Sequence, residues 1–145
     1  MRVDINDVPF THGTRQHCCT NNPGFRAESR RITRAMAEAF KDDAAVIGWQ
    51  TDNELYCHVE ECYCESCQVG FREWLALRYD QSIEKLNHAW GTLFWSQQYD
   101  DFDQVVIPKK WRQPAPCNPS ALLDFRRFLS DSVTALSART GGDSA

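Results

Sequence analysis

The sequence lacks any long apolar run and any long run of a single charge. No stretch approaches the ~20 consecutive apolar residues that a membrane-spanning helix needs. Basic and acidic residues are mixed along the chain at a net charge of −4, which excludes the basic stripe typical of nucleic-acid or anionic-membrane binding. The first residues contain no apolar segment of the kind that a signal peptide requires. We therefore expect a soluble, cytoplasmic protein that binds neither nucleic acid nor membrane.

Internal repeats and low-complexity tracts are also lacking. The 145 residues are 42% apolar and 12% aromatic, which is enough to bury the core of one ordinary domain. Cysteine, in contrast, is abundant, with seven residues. Their odd number and tight clustering argue against a secreted disulfide framework and favour metal binding or free thiols in a reducing compartment.

Hydrophobic periodicity predicts a chain made mostly of helices. Asn118 followed by Pro119 is typical of an N-cap and a first helical residue, and Gly91 is typical of a helix C-terminus. We expect helices over residues 25–41, 66–78 and 82–90, and a last helix after Asn118. The positions expected to face inward are Phe25, Ile32, Met36 and Ala39 or Phe40 in the first helix, Phe71, Trp74 and Leu75 in the second, and Leu122, Phe125, Leu129, Val133 and Leu136 in the last.

One segment has the pattern of a strand buried on both faces. Residues 44–50 form a short continuous apolar run with a β-branched centre, which is typical of a parallel sheet. Such a strand needs hydrogen-bonding neighbours at both edges. An eight-stranded α/β barrel requires at least ~200 residues. The sequence therefore indicates a part of a larger α/β protein.

The cysteine cluster has the spacing of a metal site. Cys62, Cys64 and Cys67 place three thiols within six residues, and either Cys18 or Cys19 would complete a tetrahedral set, as zinc prefers. Four protein ligands leave no open position, so the metal would be structural. Two nearby side chains, those of Cys57 and His58, compete as ligands. Free thiols or an opportunistic disulfide are the alternatives.

Glu54 directly follows the predicted strand. Ligands of α/β sheets and barrels bind beyond the carboxyl ends of the strands. A carboxylic acid at that position, beside Trp49, Asn53 and Tyr56, is placed to donate a proton. The alternative is that Glu54 is one more solvated loop acid.

Several segments together resemble the family 42 glycoside hydrolases, which are β-galactosidases. The likeness covers roughly residues 13–135. Its strongest segments are residues 15–19, 47–54, 62–68, 71–75, 86–97 and 118–125. The resemblance implies an α/β fold, namely a partial (β/α)8 TIM barrel around the fourth strand with a zinc-bound loop extension. Residues 1–145 would then be a partial catalytic barrel domain in which both ends of the barrel are missing.

The resemblance also implies roles for individual residues. Glu54 matches the general acid/base of the family, and Asn53 and Arg15 match substrate-binding residues of the sugar pocket. The implied zinc ligands are Cys19, Cys62, Cys64 and Cys67. Zinc would hold the loop, and the chemistry would need no cofactor. The implied partners are a galactoside substrate and further copies of the parent enzyme, which is expected to be a homo-oligomer, a trimer by family resemblance.

The same resemblance leaves one catalytic group unassigned. A retaining glycosidase needs a nucleophilic carboxylate in addition to the acid/base. In this family the nucleophile is a glutamate on a later strand, and no second strand-end glutamate follows Glu54. We therefore expect this chain to supply the acid/base and to be inactive alone. The alternatives are a catalytically inactive zinc-stabilised fragment, a carbohydrate-binding or assembly module, and a thiol-redox protein.

Overall fold

The computed structural model describes residues 1–50, 52–54, 61–110 and 117–141, and for residues 138–141 it describes the backbone only. Helices make up most of these residues. They are α1 (Pro23–Phe40), α2 (Glu65–Arg78), α3 (Ile83–Trp90), α4 (Thr92–Trp95), a 3-10 turn (Phe102–Gln104) and α5 (Pro119–Gly141). All four predicted helices are confirmed, with ends that differ by one or two residues. Among the described helices, none is long and apolar enough to cross a membrane.

The helix ends follow the predicted local chemistry. The Asn118 side chain accepts hydrogen bonds from the backbone N–H groups of Ser120 (2.9 Å) and Ala121 (3.3 Å), which caps α5. Gly91 ends α3 in the left-handed conformation at φ 59°, where a side chain would be strained. Asn22 caps α1 by accepting from the N–H of Phe25 at 3.0 Å, and Pro23 follows it.

The core forms where α2, α3 and α5 meet. Phe71 and Leu75 on α2 are fully buried, as predicted, and Trp74 packs against the core from its edge. The Phe71 ring lies 5.5 Å from those of both Phe125 and Phe128 on α5. These aromatic contacts fix how the two helices cross. The remaining core residues are Cys19, Cys62, Cys67, Leu86, Trp90, Val105, Ile107, Ala121 and Leu129.

The buried face of α5 is only partly the predicted one. Phe125 and Leu129 are buried, whereas Leu122, Val133 and Leu136 are half-buried. The inward face instead includes polar residues, chiefly Asp124. Asp124 accepts hydrogen bonds from the Tyr79 hydroxyl at 2.5 Å and the Trp90 indole N–H at 2.9 Å. Asp124 is stable in the core because donors from α3 and from the end of α2 satisfy its carboxylate.

The prediction that α1 buries its apolar face is wrong for the part of the chain that the structure describes. No side chain of α1 is buried, and Ile32, Met36 and Phe40 are each more than two-fifths exposed. The helix contacts α5, but its apolar stripe faces away from the core. Periodicity predicts which residues share a face, yet it does not specify what covers that face.

The predicted strand at residues 44–50 is also not formed. A turn occupies residues 44–45, and irregular backbone follows to residue 50. Ile47 is fully exposed and Trp49 is 54% exposed. A strand requires a partner for its backbone groups, and the bridge in the described part of the chain is the isolated pair Val3 and Pro9. The α/β expectation therefore depends on comparison with other proteins, since these residues by themselves form a helical assembly.

Candidate metal and carboxylate sites

Four cysteines from two separate segments converge on one point. The sulfur atoms of Cys19, Cys62, Cys64 and Cys67 all lie within 4.8 Å of one another. Cys19 comes from the N-terminal segment, and the other three come from the start of α2 and the residues before it. Cys19, Cys62 and Cys67 are buried, and Cys64 is half-buried. The described cysteines are all free thiols, so the cluster is a set of metal-ligand donors that could hold an ion.

The start of α2 positions three of these ligands. Cys64 is the N-cap residue of α2, and its carbonyl accepts hydrogen bonds from the N–H groups of Cys67 (2.9 Å) and Gln68 (3.0 Å). This turn brings Cys67 back toward Cys64. Cys19 then approaches Cys67, with 3.4 Å between the two sulfurs. The sequence left open whether Cys18 or Cys19 is the fourth ligand, and the structure places Cys19 in the group.

The crowded thiols change one another's proton affinity. The hydrogen bond with Cys19 lowers the pKa of the Cys62 thiol to about 7, and the same bond raises the pKa of Cys19. Hydrogen bonding with Cys19 likewise lowers the pKa of Cys64 and raises that of Cys67. Thiols that donate to a neighbour stabilise that neighbour as a thiolate. Thiolates are the form that binds metals.

Glu54 and Arg15 form an ion pair across 39 positions of the chain. The Arg15 guanidinium contacts the Glu54 carboxylate, and the side chains are 52% and 47% exposed. The neighbouring Gln16 side chain donates a hydrogen bond to the backbone carbonyl of Glu54 at 2.7 Å. Glu54 has a left-handed backbone at φ 51°, which non-glycine residues adopt uncommonly. Two consecutive residues of the N-terminal segment thus hold this glutamate.

Asn53 lies beside this pair, but its contacts are local. Its side-chain oxygen accepts a hydrogen bond from the Gln50 amide at 3.2 Å, and its backbone N–H donates to the Asp52 carboxylate at 2.7 Å. All three residues at positions 52–54 are exposed. The competing candidate ligands Cys57 and His58, and the neighbour Tyr56, lie outside the described residues.

The two sites share one short segment. Arg15 and Gln16 contact Glu54, and Cys19 enters the cysteine cluster only a few positions later. A cavity of about 280 Å³ borders this segment and is lined by Gln16, His17 and Asp52, among others. The Gln16 side-chain oxygen is buried without a hydrogen-bond donor in the described part of the chain. A metal held by Cys19 would therefore also fix the segment that carries Arg15.

The solved structures that superimpose on this chain are β-galactosidases. The β-galactosidase from the psychrophilic Marinomonas ef1 superimposes with a TM-score of 0.91 at 38% identity, covering 97% of this chain and 21% of that chain. The β-galactosidase from the Antarctic haloarchaeon Halorubrum lacusprofundi gives a TM-score of 0.86 at 45% identity, covering 92% of this chain and 20% of that one. These neighbours are TIM-barrel enzymes, so the chain fits as a segment of an α/β barrel.

Sequence comparison defines the family. The glycoside hydrolase family 42 model, described as β-galactosidase, matches residues 1–140. The chain therefore belongs to glycoside hydrolase family 42. It is 49% identical over 136 residues to a β-galactosidase of Thermus sp., covering 93% of this chain and 21% of that protein. It is 48% identical over 127 residues to a β-galactosidase of Haloferax lucentense, covering 87% and 19% respectively. The chain thus spans about a fifth of the length of the relatives it matches.

Proposed function

We propose that this chain supplies the proton-donating side of a retaining β-galactosidase, with Glu54 as the general acid/base. The observation that carries the proposal is the contact of Arg15 and Gln16 with Glu54, which joins residues distant in sequence beside Asn53. Membership of family 42 supports the reaction class. The relatives named above are β-galactosidases, which supports a terminal β-galactoside as substrate.

Glu54 would act twice in the reaction. It would first protonate the departing glycosidic oxygen while the nucleophile forms a covalent bond to galactose. It would then take a proton from the water that releases galactose from the nucleophile. The 47% exposure of its side chain leaves the carboxylate accessible to a sugar.

Arg15 and Asn53 would hold the substrate beside this carboxylate. Arg15 presents several N–H donors and no acceptor, so it suits sugar hydroxyl oxygens as well as the carboxylate. The Asn53 amide offers both a donor and an acceptor, as a hydroxyl does. Its present partner, Gln50, is an exposed side chain that a sugar hydroxyl could replace.

The four-cysteine cluster would hold a structural zinc ion. A tetrahedral zinc with Zn–S bonds of about 2.3 Å places its sulfurs about 3.8 Å apart. The sulfurs here lie within 4.8 Å of one another, with Cys19 and Cys67 at 3.4 Å, so small shifts satisfy that geometry. The zinc would stabilise the loop and take no part in bond cleavage. Its effect on catalysis would be indirect, through the position of Arg15.

The nucleophile would come from outside the chain. The two carboxylates of a retaining glycosidase lie about 5–5.5 Å apart on opposite sides of the sugar. Asp52 is too close in sequence to Glu54 to approach from the other side. The relatives are about five times as long as this chain, which leaves ample room for a second carboxylate. We also propose that the whole enzyme is a homo-oligomer, a trimer by family resemblance.

A segment exchange tests the role of Glu54. This chain would replace the matching segment of the Thermus β-galactosidase, to which it is 49% identical over 136 residues. Glu54→Gln should lower kcat/KM for lactose, whose departing glucose is a poor leaving group, by about 10²–10⁴-fold. For a dinitrophenyl galactoside, the rate of glycosidic bond cleavage should fall much less, because dinitrophenolate leaves without being protonated. Added azide should restore turnover by releasing galactose without a base.

The matched control is Glu28→Gln in the same exchange. Glu28 is an exposed glutamate on α1 that pairs with Arg31 at 2.7 Å, and its loss should leave kcat/KM unchanged. Unchanged lactose hydrolysis by the Glu54→Gln enzyme would overturn the acid/base assignment. That result would favour the second candidate, a zinc-stabilised module without catalysis. A specific observation supports this candidate, since the core contains three of the cysteines and none of Arg15, Asn53 or Glu54.

A further inference from the structure

Asn21 lies against two of the four sulfur atoms. Its backbone N–H donates to the Cys19 sulfur at 3.3 Å, and its side-chain amide donates to the Cys67 sulfur at 3.4 Å. The two cysteines are 48 positions apart, and one residue donates to both. Hydrogen bonds to sulfur stabilise the thiolate relative to the thiol.

Arg26 fixes the orientation of Asn21. The Arg26 guanidinium donates to the Asn21 side-chain oxygen at 2.9 Å and to the Thr20 carbonyl at 2.6 Å. Because arginine has only donors, the amide oxygen of Asn21 must face Arg26 and its NH₂ group must face Cys67. The amide therefore cannot reverse and present an oxygen to the sulfur.

This arrangement suits a loaded metal site. Four thiolates carry twice the charge of one zinc ion, so the loaded site is an anion that lacks water on its buried side. Donors that face the sulfurs offset this charge, and partners of metal ligands set both ligand orientation and affinity. Asn21 supplies the donors, and Arg26 adds a positive charge behind them from the first turn of α1.

We propose that Asn21, oriented by Arg26, is a positioning residue that sets the metal affinity of the four-cysteine site and couples α1 to it. This proposal rests on the zinc assignment above, and it adds the residues that tune the site. It also gives α1, which buries no side chain, a defined contact with the cysteine cluster.

The test measures the zinc dissociation constant of the purified chain by competition with a chelator. Asn21→Asp keeps the shape and the Arg26 contact but replaces the donor with a charged acceptor beside Cys67. We expect it to weaken zinc binding about 10–100-fold, with Asn21→Ala weakened less because alanine removes the side-chain donor without adding a negative charge beside Cys67. Arg26→Met should weaken binding in the same direction. Arg30→Met, which changes an exposed arginine one turn further along α1, should leave it unchanged.

The outcomes separate this inference from the zinc assignment. Zinc bound as tightly by Asn21→Asp as by the wild type would overturn the inference and leave the zinc site intact. Equal losses in Arg26→Met and Arg30→Met would show a general charge effect and would also overturn it. A wild-type chain that binds no zinc would overturn both proposals. If Asn21→Asp unfolds, as judged by loss of helical circular dichroism, the zinc dissociation constant of Asn21→Ala is compared with that of the wild type instead. Equal affinity would again overturn the inference.

Discussion

Two regions of the molecule differ in how completely they are packed. The cysteine region comprises the four-cysteine cluster with α2, α3 and α5, and it contains nearly all of the buried apolar side chains. The carboxylate region comprises α1, residues 44–50 and Glu54, and most of its large apolar side chains are exposed. Intrinsic stability is therefore concentrated in the cysteine region. The residues proposed for catalysis therefore lie in the region with the fewest buried packing contacts among the described residues.

Removing a proposed metal ligand should have one of the two largest effects, because it removes the metal bonds that would hold the cysteine region together. Cys64→Ser should lose zinc, and the apparent free energy of unfolding should fall by about 4 kcal/mol at zinc levels a thousandfold above the dissociation constant. The measurement is thermal unfolding with zinc content on the same sample. Cys117→Ser, which changes a half-buried cysteine outside the cluster, is the control. A metal-free Cys64→Ser with an unchanged melting temperature would contradict the prediction.

A matched pair of phenylalanines compares the regions directly. Phe71 is 0% exposed in the cysteine region, and Phe40 is 45% exposed on α1. Phe71→Ala should destabilise the chain by about 3–5 kcal/mol through lost burial and a residual cavity. Phe40→Ala should cost less than about 1 kcal/mol. Denaturant unfolding measures both, and equal losses would show that α1 is covered in solution.

A matched pair of aspartates tests the polar part of the core. Asp124 is 2% exposed and accepts from Tyr79 and Trp90, whereas Asp80 pairs with Lys85 at the surface. Asp124→Asn keeps the shape but loses charge and part of its acceptor capacity, and should cost about 1–3 kcal/mol. Asp80→Asn should leave the stability nearly unchanged, because its ion pair with Lys85 is exposed to solvent. Urea unfolding measures both variants. An unchanged free energy of unfolding in Asp124→Asn would show that the carboxylate charge does not contribute to stability.

The smallest effect concerns alkaline pH. Burial, and then the hydrogen bond to Asp124, raise the pKa of Tyr79 above its ordinary value. Because the folded-state pKa is the higher one, the contribution of this hydroxyl is complete below about pH 10 and is lost as pH rises through the folded pKa. Tyr79→Phe should be less stable than the wild type by about 1 kcal/mol at neutral pH. The difference should narrow above pH 10, and a constant gap across pH would refute the assignment.

The sequence predicted those features that depend on local chemistry. Asn118 caps α5, Gly91 ends α3, and the spacing of Cys62, Cys64 and Cys67 brings their sulfurs together, all within a few residues of chain. The fourth ligand is distant in sequence, and spacing alone could not choose between Cys18 and Cys19. The resemblance to family 42 named Cys19, and the Cys19 sulfur does lie in the cluster.

Features that depend on distant partners were missed. Asp124 lies on a mostly apolar face of α5. An acid at that position was the sign in the sequence of a buried hydrogen-bonding site. Asn21 and Arg26 gave no such sign, because their role appears only when Cys19 meets Cys67. The strand expected at residues 44–50 failed for the opposite reason, since its pattern was correct for a sheet but no neighbouring strand is present among the described residues.

The most direct test is to assay the purified 145-residue chain on a nitrophenyl β-galactoside and to measure its zinc content on the same sample. The account predicts about one zinc ion per folded chain and no turnover, because Glu54 is present and the nucleophile is not. Turnover by the chain would contradict the account, since a second carboxylate within it, or a second copy of it, would then supply the nucleophile. A folded chain without zinc would contradict the metal assignment.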